Sequence, residues 1–169
     1  MTEFEEITLK KIIKGKIVDE FYVNLGVTLG SNKISNRELS EKIGWDPAGI
    51  SQKQNRNSDM RFSTFITMLV AISELSDEKS GGGVSPYLAF DELAVDRLVT
   101  FDSFMLGKLF IHVSASIEGR EEFLCDQQYV KIYKKLRPFV FNQKRAPRFS
   151  EKEQAVYKKY YDKLCGAAE

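Results

Sequence analysis

Apolar residues recur at three- and four-residue spacing over 12–29 (Ile12, Ile13, Ile17, Val18, Phe21, Leu25, Leu29), and a stripe of that period predicts a helix with one buried side. Gly30-Ser31-Asn32 is expected to end it. Ser35-Asn36-Arg37-Glu38 then has the form of a capping box, Ser at the N-cap and Glu three residues on, opening a short helix with Leu39 and Ile43 inward. Gly44 supplies its C-terminal turn. Asp46-Pro47 restarts a helix at once, with Asp as N-cap and Pro where its missing N–H is not needed. That helix should run to about Gln54, and the polar string Asn55-Arg56-Asn57-Ser58-Asp59 reads as a loop. Phe62, Phe65, Ile66, Leu69, Val70 and Ile72 predict a strongly apolar helix that forms the floor of a small core.

Ser80-Gly81-Gly82-Gly83, with Ser85-Pro86 beyond it, is the clearest break, because adjacent glycines cost too much entropy to sit inside a helix or a central strand. Beyond it, 88–101 is ambiguous between strand and helix, and 104–117 reads as a largely buried helix. An amphipathic helix over 121–136 should be stopped by Pro138. Ser150-Glu151-Lys152-Glu153 is a second capping box, Ala155, Val156, Tyr160 and Leu164 line one side of the helix it opens, and Gly166 closes it. The expected fold is mainly α. A four- to five-helix domain over 1–78 is joined by a glycine-rich linker at 79–86 to a helical domain over 87–169.

Composition narrows the chemistry. With 169 residues, 43% hydrophobic and 29% charged, the chain can bury one or two small cores. No apolar run approaches the roughly 18–20 residues of a membrane span, and Glu3, Glu5 and Glu6 replace the basic leader of a secretory signal. Two cysteines, Cys125 and Cys165, fit a reducing cytoplasm rather than a disulfide scaffold. One histidine and two separated cysteines argue against a metal site, and no cofactor is implied. The glycine triplet lacks the Lys-Ser/Thr of a phosphate-binding loop, no serine sits in a nucleophile elbow, and an enzyme is not expected.

A short helix, a glycine turn and a second short polar helix make a helix-turn-helix, whose second helix must present a small, polar face to enter a major groove. Here that face is Pro47, Ala48, Ser51, Gln52 and Asn55, almost free of the Lys/Glu pairs of an ordinary solvated helix. Arg37-Glu38-Leu39-Ser40-Glu41-Lys42-Ile43-Gly44 followed by Ile50-Ser51-Gln52-Lys53-Gln54-Asn55 resembles the Cro/phage-repressor (XRE-type) helix-turn-helix family, over about residues 12–75. The resemblance implies that Ser35 and Asn36 meet a phosphate at the start of the first motif helix, and it counts Arg37 among the DNA-binding residues. It places Ala48, Ser51 and Gln52 at base-reading positions, Gln52 suited to bidentate contact with adenine and Ala48 to a thymine methyl. It gives Lys53, Asn55, Arg56 and Asn57 to the phosphates beyond. Trp45, in the turn, is expected to pack over the domain edge or to touch DNA or a partner.

Residues 33–61 carry six basic and four acidic residues, too little charge for one copy to displace many counterions, so a homodimer on a pseudo-palindromic operator is expected. Phe104, Leu106, Leu109, Phe110 and Val113 form an apolar surface that is either core or half of a dimer seam. His112 within it reads as a core or interface histidine rather than a ligand. The strongest single-signed block lies at 127–148: Lys131, Lys134, Lys135, Arg137, Lys144, Arg145 and Arg148, with no acid. Interleaved with Tyr129, Tyr133, Phe139, Phe141 and Phe149, it is a helix face over inward aromatics, a second nucleic-acid surface, or a docking patch for an acidic or nucleic-acid-bound protein.

The leading expectation is a cytoplasmic, dimeric repressor of phage or mobile-element type acting on double-stranded DNA. From another class comes a phage inhibitor of a host protein such as a nuclease, an anti-CRISPR protein with an autoregulatory N-terminal helix-turn-helix. A third, an antitoxin, would have its toxin encoded next door.

Overall fold

The structure, a computed structural model, describes residues 1–56, 61–81, 101–115, 126–141 and 148–166, with backbone alone at 55, 56, 62, 101–103 and 115. All regular structure among them is helical: α1 (Glu3–Ser31), α2 (Asn36–Lys42), α3 (Gly49–Arg56), α4 (Phe62–Ser80), α5 (Phe101–Ala115), a 3-10 turn (Gln127–Tyr129), α6 (Val130–Phe141) and α7 (Glu151–Cys165). The mainly-α expectation holds. Of the glycine linker, only its first residues fall among the described ones, and they extend α4 to Ser80 with Gly81 left-handed at φ 79° as its cap.

The chain divides into two compact units, and the division corrects the expected one. Met1–Ile17 belongs with Phe101–Glu169, and Val18–Thr100 forms the other unit. The apolar stripe of α1 therefore supplies two cores rather than one. Leu9, Ile12 and Ile13 are buried with α5, α6 and α7, whereas Tyr22, Leu25 and Leu29 are buried with α2, α3 and α4. Periodicity marks which side of a helix is buried but not what buries it. α1 also begins earlier than expected, at a capping box in which Thr2 and Glu5 exchange hydrogen bonds at 2.9 and 3.2 Å.

In the first unit, polar contacts tie the N-terminal turns of α1 to α7. Lys11 pairs with Glu153 at 2.6 Å, and Glu5 accepts from Lys159 and from the Tyr160 hydroxyl. Four tyrosines (Tyr129, Tyr133, Tyr157, Tyr160) are buried in the core they cover. Tyr157 donates to the Tyr133 carbonyl, and burial raises its hydroxyl pKa. Pro138 does not stop α6. It lies inside the helix on its exposed side, where water can solvate the carbonyl deprived of its partner.

In the second unit, α1 ends in a Schellman motif: Ile34 N–H bonds the Leu29 carbonyl at 2.9 Å and Lys33 N–H the Gly30 carbonyl at 3.1 Å. The left-handed position is Lys33, at φ 56°, and not a residue of the Gly30-Ser31-Asn32 string expected to end the helix. A side chain there is strained. Lys33→Gly is expected to stabilise this unit by about 0.5–1 kcal/mol, seen as a higher urea midpoint at unchanged slope. Along α4, Met68, Leu69, Ala71, Ile72 and Leu75 face the core, while Val70, expected inward, is exposed.

Three capping-box glutamates make the fold acid-sensitive. Lys79, the Ser35 N–H and the Ser35 hydroxyl hold Glu38 down from its ordinary 4.5 to about 2. Burial works to raise Glu5, but Lys159, the Thr2 N–H and Tyr160 outweigh it and leave this carboxyl also at about 2. Glu153 is lowered by Lys11 and by Ser150. Depressed folded pKa values add stability that is complete above about pH 4.5 and is withdrawn as pH falls toward about 2. Chemical denaturation between those limits should show a falling midpoint, with the fall reduced in Glu38→Gln.

Candidate nucleic-acid interface

The α2–α3 segment is built by caps. Ser35 accepts the Glu38 N–H at 3.2 Å while the Glu38 carboxylate accepts the Ser35 N–H at 2.7 Å, the box expected from the sequence. At the other end Gly44 takes φ 75°, and two bonds close the turn: Gly44 N–H to Glu41 at 3.1 Å and Trp45 N–H to Ser40 at 2.8 Å. A residue with a Cβ would be strained there, which is why the turn needs glycine. Asp46 acts as a cap, its Oδ1 accepting the Ala48 N–H at 2.9 Å, but Pro47 and Ala48 form a turn and α3 starts at Gly49. α3 continues to Arg56, so Asn55 and Arg56, expected in a loop, are helical. Asn57 lies outside the described residues.

Leu39 and Ile50 are buried between the helices, and Ile43 is partly so. The residue that fastens them is one the sequence reading passed over. Ser40 is completely buried; its hydroxyl accepts the Ile50 N–H at 3.1 Å and donates to the Asn36 carbonyl at 2.8 Å. One hydroxyl therefore satisfies an orphan donor in the first turn of α3 from a different helix. Ser40 follows core Leu39 and stands four residues after Asn36, a hint that it shares the inward arc.

Pro47 and Ala48 are exposed in the turn before α3, and on the helix Gln52 is exposed with Ser51, Lys53 and Gln54 half-buried. Several residues to which the family resemblance gives phosphate are engaged internally. Ser35 is committed to its cap, and the Glu38 carboxylate already occupies the N-terminal end of α2. Asn36 donates to Ser51 Oγ at 3.3 Å, so a proposed phosphate contact and a proposed base reader hold each other. Arg37 is exposed and pairs with Glu41 at 2.8 Å. Lys53 Nζ sits 5.0 Å from the centre of the Trp45 ring. Trp45 itself is half-buried against the core, and its ring fits because residue 49 is glycine: a Cβ there would stand 3.2 Å from Trp45 Cβ. Trp45 thus has the edge packing that one of its two expected accounts requires. Lys42 is shared between Glu74 and Glu78 at 3.2 and 2.8 Å, and Lys79 pairs with Glu38 at 2.7 Å.

Of the basic block, Lys131, Lys134, Lys135 and Arg137 are exposed on α6, Arg148 is half-buried over the Phe139 ring at 5.0 Å, and Lys144 and Arg145 lie outside the described residues. Tyr129, Tyr133 and Phe149 point into the core, Phe139 is half-buried, and Phe141 is exposed. His112 Nδ1 lies 2.8 Å from the Tyr129 hydroxyl, the partnered histidine that its apolar setting suggested. On α5, Leu106, Leu109 and Val113 are core, whereas Phe104 and Ile111 are each 65% exposed. Among the described residues, no group of three or more His, Cys, Asp or Glu could hold a metal ion, and no helix is long and apolar enough to cross a membrane. Compared with known protein families, with curated proteins and with solved structures, the chain matches none of them.

Proposed function

We propose that the protein is a sequence-specific DNA-binding regulator of the phage-repressor kind, in which α3 enters the major groove and occupancy of an operator represses transcription. The observation that carries this is the outward side of α3. Gln52 on the helix, and Pro47 and Ala48 in the turn that leads into it, are exposed, small or hydrogen-bonding, and without charge, and the opposite side of the helix is fixed by Ile50 and the Ser40 bond. A short helix fixed on one side, with uncharged Gln52 exposed on it and Ala48 exposed in the turn before it, suits contact with base edges. Gln52 reads adenine, and Ala48 lies against a thymine methyl. Selection of bound fragments from a random duplex library tests this: a recurrent motif is expected, and a pool that stays random after repeated rounds would contradict it.

The operator is bound by two copies. With Arg37, Lys42, Lys53 and Lys79 engaged locally, one unit offers little cationic charge for counterion release. Phe104 and Ile111, seven residues apart on one side of α5, supply an apolar seam for the second copy. Phe104→Glu/Ile111→Glu is expected to convert a dimer to a monomer in sedimentation and to halve the slope of log affinity against log salt. Half-sites in the selected motif should lie roughly 34 Å apart.

A further inference from the structure

We propose that the exposed side of α6, with the groove between α6 and α7, binds single-stranded nucleic acid. α6 carries Lys131, Lys134, Lys135 and Arg137 and no acidic residue, all four exposed. Residues three and four apart on a helix stand roughly 5–6 Å from one another, near the spacing of successive phosphates on an extended strand. At the end of this row is a groove of about 290 Å³ lined by Arg137, Phe141, Tyr157, Lys158, Tyr161 and Asp162. Arg137 lies 5.5 Å from the Tyr161 ring centre, and the Phe141 ring packs edge-on to Tyr157 with its outer part exposed.

That combination selects the ligand. Cations in a row attract any polyanion, but aromatic walls and a guanidinium plane beside them serve a base that has left its stack. A duplex keeps its bases inside and would leave the groove empty. Beside Arg137 and Lys158 the groove holds the Asp162 carboxylate, which can accept from the amino group of an unpaired cytosine or adenine, a donor that the side chains of an acidic peptide lack. The backbone therefore tracks Lys131 and Lys134, and a base enters between Phe141 and Arg137 with its amino edge toward Asp162. This surface belongs to the other compact unit from α3, and its proposal does not depend on the role given to that helix.

The test is fluorescence anisotropy of the full chain with oligodeoxycytidylate and oligodeoxythymidylate of about 15 nucleotides, within the range of site sizes for such grooves. Cytidylate should bind several-fold more tightly than thymidylate, and both more tightly than a duplex of equal length. Lys131→Ala/Lys134→Ala should lower single-strand affinity about tenfold and reduce the salt slope by about 1.4. Phe141→Leu should lower it by about fivefold or more. Exposed Asp162→Ala, which leaves the core intact, should abolish the preference for cytidylate while retaining phosphate attraction. Equal affinity for the duplex, equal affinity for the two strands, or displacement by a polyglutamate peptide at matched charge would each overturn the proposal. So would single-strand binding that falls in Gln52→Ala. Loss of duplex selectivity alone in that variant bears on α3 and leaves this groove standing.

Discussion

Replacing Ser40 with valine is expected to destabilise the second unit by about 2–6 kcal/mol, although serine stands in a mostly polar heptapeptide helix. Two effects add. The Ile50 N–H loses its acceptor at 3.1 Å in a site sealed from water, and a buried donor left unpaired costs about 1–3 kcal/mol. The branched side chain must also enter a space shaped for a hydroxymethyl group, and overpacking costs about 1–3 kcal/mol. Ser40→Ala isolates the first effect, and Ser40→Thr retains the hydroxyl. The single tryptophan, Trp45, lies against this core, so its fluorescence in urea reports on this unit directly. A loss below about 0.5 kcal/mol in both the valine and alanine variants would mean that the Ser40 bond does not fasten α2 to α3.

Gln52→Ala should leave stability unchanged, since the side chain is exposed, and act on recognition alone. A bidentate glutamine–adenine contact carries about 1–3 kcal/mol of discrimination, so the variant should lose about 5- to 150-fold at one base pair of each half-site. Affinity for unrelated duplexes and the salt slope should be unaltered, because no phosphate contact is removed. A loss that is uniform across sequences would assign Gln52 to the backbone rather than the bases.

Much of this was legible in the chain itself, for reasons that differ from element to element. The boxes at Ser35–Glu38 and Ser150–Glu153, and the turn at Gly44, could be read because capping is local chemistry, settled within four or five residues. Lys33 was hidden because its left-handed conformation is imposed by burial of Leu29 and Ile34 on either side, not by its own preference. Pro138 misled because a helix tolerates proline where its exposed side lets water replace the missing bond. The division inside α1 could not be read at all: Ile13 and Leu25 look alike along the sequence, and only tertiary packing assigns them to separate cores. At the candidate interface the exposure of Pro47, Ala48 and Gln52 was legible from composition, but the start of α3 at Gly49 and the half-burial of Ser51 were not. Engagement of Asn36 by Ser51, and of Lys53 by Trp45, depends on distances that a sequence does not carry.

Amide hydrogen exchange of the full chain, with and without the duplex recovered by selection, bears most directly on α3. Slowed exchange across 46–56 on the selected duplex, and much less on an unrelated one, is the expected result. If those amides exchange at the same rate with and without DNA, while protection appears elsewhere or nowhere, α3 is not the element that reads the groove.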